Sequence, residues 1–267
     1  MINQRSQRGA TLIVVLVVML LITIIGTLAI RQSLVSLNIA TNGQAQQLML
    51  QSSDAAIFQA ENPDQLARYG YSDSLLGYPS KTENIGKEIV FCYRGAQSSF
   101  FDFSKISVMQ WVEGATAPDG TSLGTQGYCS VGSETNNFVS ARQAVMTQVT
   151  IQFVQEQGSQ PFENAILGTD TQTIKLPENQ KAIIHAVSLM PTLSTASNAD
   201  INQCLSQRMS NPVVPSGVTT PASGATQTVS ECLAALNVPF TTEVTDYNYT
   251  FDISTQQTAV AAAAAAG

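Results

Sequence analysis

The stretch that decides the fold is Ala10–Ile30, ATLIVVLVVMLLITIIGTLAI: 21 residues without a charge. A bilayer core takes ~20 consecutive apolar residues in a helix, so the run fits one span. Arg5 and Arg8 precede it and Arg31 follows it. Basic flanks favour the cytoplasmic side, so the short N-terminus is expected to stay inside and the chain after Arg31 to be exported. A cleaved secretory signal is the competing reading, with Thr27-Leu28-Ala29 as its small-x-small site. Its apolar stretch would be shorter, roughly 7–15 residues.

The helical pattern continues past Ile30. Residues 31–60 hold no Pro and one Gly. Leu34, Leu37, Thr41, Leu48 and Ala55 fall at helical intervals, extended by Val35, Ile39, Met49 and Ala56, and the other side is rich in Gln, Asn and Ser. The expectation is one helix of about fifty residues, ~75 Å at 1.5 Å per residue. Gly26 and Asn42-Gly43 are its weak points, and it stops before Asn62-Pro63.

Further along, residues 61–86 read as loop with short helical pieces. Strands are expected at 87–94 (KEIVFCYR) and 105–112 (KISVMQWV). A long Gly/Thr/Ser/Asn-rich loop covers 113–137. Three alternating runs follow: Val145 to Phe153, Ile183 to Leu189, and Tyr247 to Ile253, the last with Asp246, Asn248, Thr250 and Asp252 on its other side. Such alternation predicts an antiparallel sheet with one covered face, and the long helix is the expected cover. The fold class is therefore α+β: a long N-terminal helix packed on an antiparallel sheet head. Residues 210–229, rich in Pro, Ser, Thr and Gly, read as a tethered surface loop. Residues 259–267 read as an Ala-rich tail.

In an exported domain Cys92, Cys129, Cys204 and Cys232 are expected to form two disulfides. Three connectivities are open to four cysteines. Cys92–Cys129 with Cys204–Cys232 is preferred because each closes a local loop.

Composition argues against several chemistries. A net charge of −7 disfavours nucleic-acid binding. No C-x-x-C, HExxH, P-loop, Rossmann glycine pattern or EF-hand ladder occurs, so neither a metal site, a cofactor nor a catalytic residue is expected. His185, the one histidine, lies in an expected strand and reads as a strand residue. Asp246 and Asp252 could serve calcium only with distant partners. Asn248-Tyr249-Thr250 matches a glycosylation pattern inside a strand and is taken as chance. Trp111 and Phe100-Phe101 read as core.

Gln7-Arg8-Gly9 followed by Ala10-Thr11-Leu12-Ile13-Val14 resembles a prepilin cleavage signal. With Arg31, Asn42-Gly43 and Ser53-Asp54-Ala55-Ala56, residues 5–58 are similar to the N-terminal segment of type IV minor pilins of the PilX type. The resemblance implies that a prepilin peptidase cuts between Gly9 and Ala10 and that Ala10 is then N-methylated. The leader 1–9 would be lost, leaving a transmembrane half 10–30, an amphipathic half 31–60 and a periplasmic head 61–258. Partners would be other minor pilins and the major pilin through the helix, and a tip adhesin. The location would be the inner membrane first and the pilus afterwards.

The sequence departs from most pilins at the fifth residue after the cut, where they carry Glu and this chain carries Val14. A carboxylate in lipid needs a partner, and there it meets the free amine of a neighbouring subunit. Lacking it, Val14 suits a subunit at the filament tip. The tip pseudopilin of type II secretion shares that absence and is the alternative. A helix-rich insertion usual in that paralogue is not read here, since residues 87–253 look mostly like strands. A plain membrane anchor on a binding protein or enzyme is a further alternative, but it has no need of a helix continuing to Ala60.

Overall fold

The computed structural model describes residues 8–62, 76–95, 102–132, 137–140, 142–154, 178–218 and 220–251. Phe100-Phe101, Asp252, the leader residues 1–7 and the Ala-rich tail lie outside them. The chain divides between Gln47 and Leu48 into two compact units.

The first helix, α1, runs Arg8–Ala60, 53 residues, through both Gly26 and Gly43 without a break. At either glycine an added Cβ would meet nothing within 4 Å, so neither serves a close packing contact among the described residues. The helix ends ahead of Pro63, whose ring disfavours helical geometry in the residue before it.

The second unit is built on five antiparallel strands: β1 (Glu88–Tyr93), β2 (Ser107–Met109), β3 (Met146–Val154), β4 (Glu178–Leu189) and β5 (Phe240–Phe251). Their order is β2-β1-β3-β4-β5. Shorter helices are α2 (Gly77–Ser80), α3 (Asn198–Gln207) and α4 (Val229–Ala235). The architecture is α+β, a long apolar helix followed by an antiparallel sheet. The five expected strands are all present, with shifted limits: β2 keeps three residues, and β5 begins seven residues before Tyr247.

Register explains the core. Ile89 sits opposite Ile151, which sits opposite Ile184; Phe91 pairs with Val149 and Val149 with Ala186. These residues share one face and are buried together with Ala56 and Ala60 of α1. In β4 the residues under the helix are thus Ala182, Ile184 and Ala186, not the expected alternating set Ile183, His185, Val187 and Leu189. Small alanines let the helix approach closely; the bulkier set faces the other way.

That opposite face is covered too, which corrects the expectation of one solvated side. Eight of the nine β3 residues are buried. The second layer contains α3, α4 and the loops around Cys129. Two of the polar residues that alternate along β3, Gln148 and Gln152, are hydrogen-bonded to this layer rather than hydrated. Gln148 accepts from the Cys129 N–H at 3.1 Å and donates to the Leu205 carbonyl at 2.9 Å. Gln152 donates to the carbonyls of Gly86 and Asn211. An alternation of apolar and polar residues cannot distinguish a polar side chain facing water from one that meets loop backbone.

Two disulfides, Cys92–Cys129 and Cys204–Cys232, lie in this layer. The first ties β1 to the loop after β2, and the second ties α3 to α4. With sequence separations of 37 and 28 residues, each contributes ~3–4 kcal/mol if the effect is mainly on the unfolded chain. The Pro/Ser/Thr/Gly segment between the last two cysteines, expected as a tethered surface loop, is tethered but lies partly in the core. Met209 and Ala225 are fully buried, and Val214 and Val218 pack beside them against Trp111, Met109 and Tyr128. Close approach of backbone recurs at Gly127, where a Cβ would collide with the Ser107 nitrogen and the Val90 carbonyl oxygen.

Candidate functional site

The one feature of the described residues that calls for a partner is the first helix. From Leu12 to Ile30 every large apolar side chain is between 47% and 66% exposed. An 18-residue window reaches a mean hydropathy of 3.1, so this helix meets the length and composition of a membrane span. The two threonines deeper in the span do not upset this. Thr23 donates to the Leu20 carbonyl at 2.8 Å and Thr27 to the Ile24 carbonyl at 2.9 Å, so neither hydroxyl asks anything of lipid. A helix apolar on all sides is stable only when lipid or other apolar helices surround it.

Gly9 and Ala10 lie in the first turns of α1, and Val14 follows one turn later, 60% exposed. Residues 31–47 continue the helix. Leu34, Val35, Leu37 and Ile39 are more than half exposed there, so the stripe expected to need a partner finds none in the first unit.

The last turns, in the second unit, behave differently. Met49, Ser52, Ser53, Ala56 and Ala60 are buried, whereas Leu48 is half exposed and Phe58 is 71% exposed. Of the stripe expected on this half, only Met49 and Ala56 are buried. The contact is made by small and hydroxyl side chains instead. Ser52 and Thr147 hydroxyls lie 2.6 Å apart, Thr147 and Ser188 hydroxyls 2.6 Å apart, and Ser53 donates to Ser188 at 2.8 Å. Thr147 and Ser188 are register partners on β3 and β4, so the four hydroxyls form a ladder from helix to sheet. Sequence reading passed over Ser52 and Ser53 as polar. The available signal was the run of small residues Ser52, Ala56 and Ala60, each four apart, with Ser53 beside the first.

Near this contact Glu61 accepts from the Thr245 hydroxyl at 3.2 Å. Glu243 on β5 is pushed up from the ordinary carboxylate range, chiefly by burial and then by Asp54 beside it.

The remaining candidates are scattered. His185 is half-buried on β4, its Nε2 without a partner, and burial holds it below the ordinary imidazole range despite nearby Asp246. Asp246 pairs with Lys181 at 3.0 Å. Trp111 is buried and donates to the Ala115 carbonyl. Of the side chains of Asn248, Tyr249 and Thr250 the structure describes nothing. Among the described residues no group of His, Cys, Asp and Glu could hold a metal ion.

A buried acid was missed by sequence reading. Glu88, 1% exposed at the start of β1, accepts from the backbone N–H groups of Ser210 at 2.9 Å and Asn211 at 2.6 Å. Nothing in EIVFCY marks its first residue as buried.

No curated protein and no solved structure matches the chain. Residues 8–58, within the helix just described, fit the family model PilX_N, described as PilX N-terminal, so the first helix of this chain is similar to the N-terminal segment of the PilX-type pilins.

Proposed function

We propose that this chain is a minor pilin of a type IV pilus, a structural and non-enzymatic subunit that helps initiate assembly and sits at or near the tip. The observation that carries the reading is the match of residues 8–58 to the PilX N-terminal model, on a helix whose apolar surface is left open along the span. The helix is first held by the inner membrane with the head in the periplasm, after cleavage behind Gly9 and methylation of Ala10. It then moves into a bundle of sister helices from other minor pilins and the major pilin, where the same apolar surface exchanges lipid for protein. The head meets neighbouring heads and a tip adhesin.

Val14 supports the tip position. A mid-filament subunit needs a carboxylate there for its neighbour's amine, and leaving that charge unpaired in an apolar bundle costs a few kcal/mol. A subunit at the tip meets no such amine. Deleting the gene should abolish or sharply reduce surface pili. Quantifying the protein against the major subunit in sheared filaments tests its position. An amount that scales with filament number supports the tip, and one that scales with filament length overturns it. The Val14→Glu variant should become tolerated along the shaft.

A further inference from the structure

We propose that the outer edge of β5 at Thr241–Asp246 takes an added strand from another exported subunit, one that carries a Lys or Arg on the side facing α1. That the partner is a fellow subunit rests on the function proposed above; the chemistry of the strand does not.

The two edges of the sheet are built differently. β2 keeps three residues, and the chain after it is folded back through the Gln110–Asp119 bridge. β5 pairs with β4 over twelve residues in an unbroken register. No Pro, Gly or Lys interrupts it and no bulge bends it, and those are the usual devices by which an edge strand refuses a neighbour. Among the described residues no strand lies beyond β5, so the N–H and C=O groups that point away from β4 meet no described backbone.

The end of α1 runs along this edge. Register sets Glu243 opposite Ala186 and Thr245 opposite Ile184, on the face that the helix covers. Asp54 lies beside Glu243, and Glu61 accepts from Thr245. Phe58, 71% exposed, stands between Asp54 and Glu61 on the same helix face. A strand added ~4.8 Å beyond β5 passes alongside these side chains. They are acidic and lack a cation: neither ion pair among the described residues includes Asp54, Glu61 or Glu243. Oε2 of Glu243 is buried without a hydrogen-bond partner. A Lys or Arg in the added strand supplies the missing charged donor, and its apolar stem covers Phe58. On the other face Thr242 is held to Ser230 of α4, and Val244 is left 55% exposed for an apolar residue of the same strand. A second copy of this chain is a poor match. Its β5 carries Glu243 and Asp246 and no basic residue, so pairing two copies edge to edge brings carboxylates together.

The test is hydrogen–deuterium exchange on the full chain in neutral detergent micelles with three capped peptides of about seven residues, the length of an ordinary strand. One alternates Lys with Val, one alternates Glu with Val, and the third is the Lys–Val peptide with every second amide N-methylated. The Lys–Val peptide should slow exchange across 240–247 and leave β1 unchanged. The Glu–Val peptide should bind about ten- to a hundredfold more weakly. The N-methylated peptide, with the same side chains and fewer backbone donors, should protect nothing. Glu243→Gln should narrow the preference for Lys over Glu, and Glu243→Lys should reverse it; if these variants fail to fold, the three peptides on the wild-type protein decide. No protection by the Lys–Val peptide, equal protection by either of the other two, or an edge already protected by the chain itself or by a second copy at rising protein concentration would each overturn the proposal. The pilin reading is judged apart from this, by the gene deletion.

Discussion

Replacing Thr147 by Val tests whether the hydroxyl ladder sets how the end of α1 meets the sheet. Valine keeps the shape and removes one oxygen. Thr147 is fully buried and stands between Ser52 and Ser188, 2.6 Å from each. Ser188 keeps its bond from Ser53 after the change. Ser52 loses its partner across the interface, and its alternative is a bond back to its own helix, which recovers part of the loss. An unsatisfied buried hydroxyl costs ~1–3 kcal/mol, so the net expectation is ~1–2 kcal/mol. For a unit of this size that lowers Tm by ~3–6 °C. Ser52→Ala should cost less, since Thr147 retains Ser188. The double variant should lose less than the two single losses together, by about 1 kcal/mol, because both partners are then apolar. Urea unfolding of the full chain in micelles, followed by circular dichroism, measures all four proteins. Strict additivity, or a Thr147→Val variant as stable as wild type, would refute the ladder as a source of helix–sheet registry.

Two further outcomes follow from other parts of the chain. Mass spectrometry of the protein from its host should find Ala10 as a methylated N-terminus, and a bulky residue at position 9 should leave the precursor uncut; a start near Ile30 would instead indicate a secretory signal. Gly127→Ala should destabilise the head by ~3 kcal/mol or more, because its Cβ collides with backbone at Ser107 and Val90 rather than with a movable side chain; a change below 1 kcal/mol in the same urea assay would show that the loop shifts freely.

Of the fold, the parts readable from sequence are those decided by one-dimensional pattern. An uncharged run of 21 residues can be satisfied in only a few ways, and helical spacing beyond it extends one element to Ala60. Alternation located the strands, because neighbouring residues of a strand face opposite sides whatever lies there. The same rule could not say what covers each side. Gln148 and Gln152 read as solvated, yet they are buried beneath α3 and its flanking loops, since hydrogen bonds to loop backbone replace those to water. The choice of Ser52 and Ser53 over Leu48 for the sheet contact was equally hidden. It depends on the partner hydroxyls of Thr147 and Ser188, 95 and 135 residues away. Glu88 was invisible for the same reason, its two donors being 122 and 123 residues distant. What sequence alone determined is the long helix with its lipid-compatible span and the five strands, properties of local periodicity and length; α3 and α4 were not read from it. Which polar residues are buried, and which loop folds back to meet them, was decided only when distant backbone donors and acceptors came together in the tertiary structure.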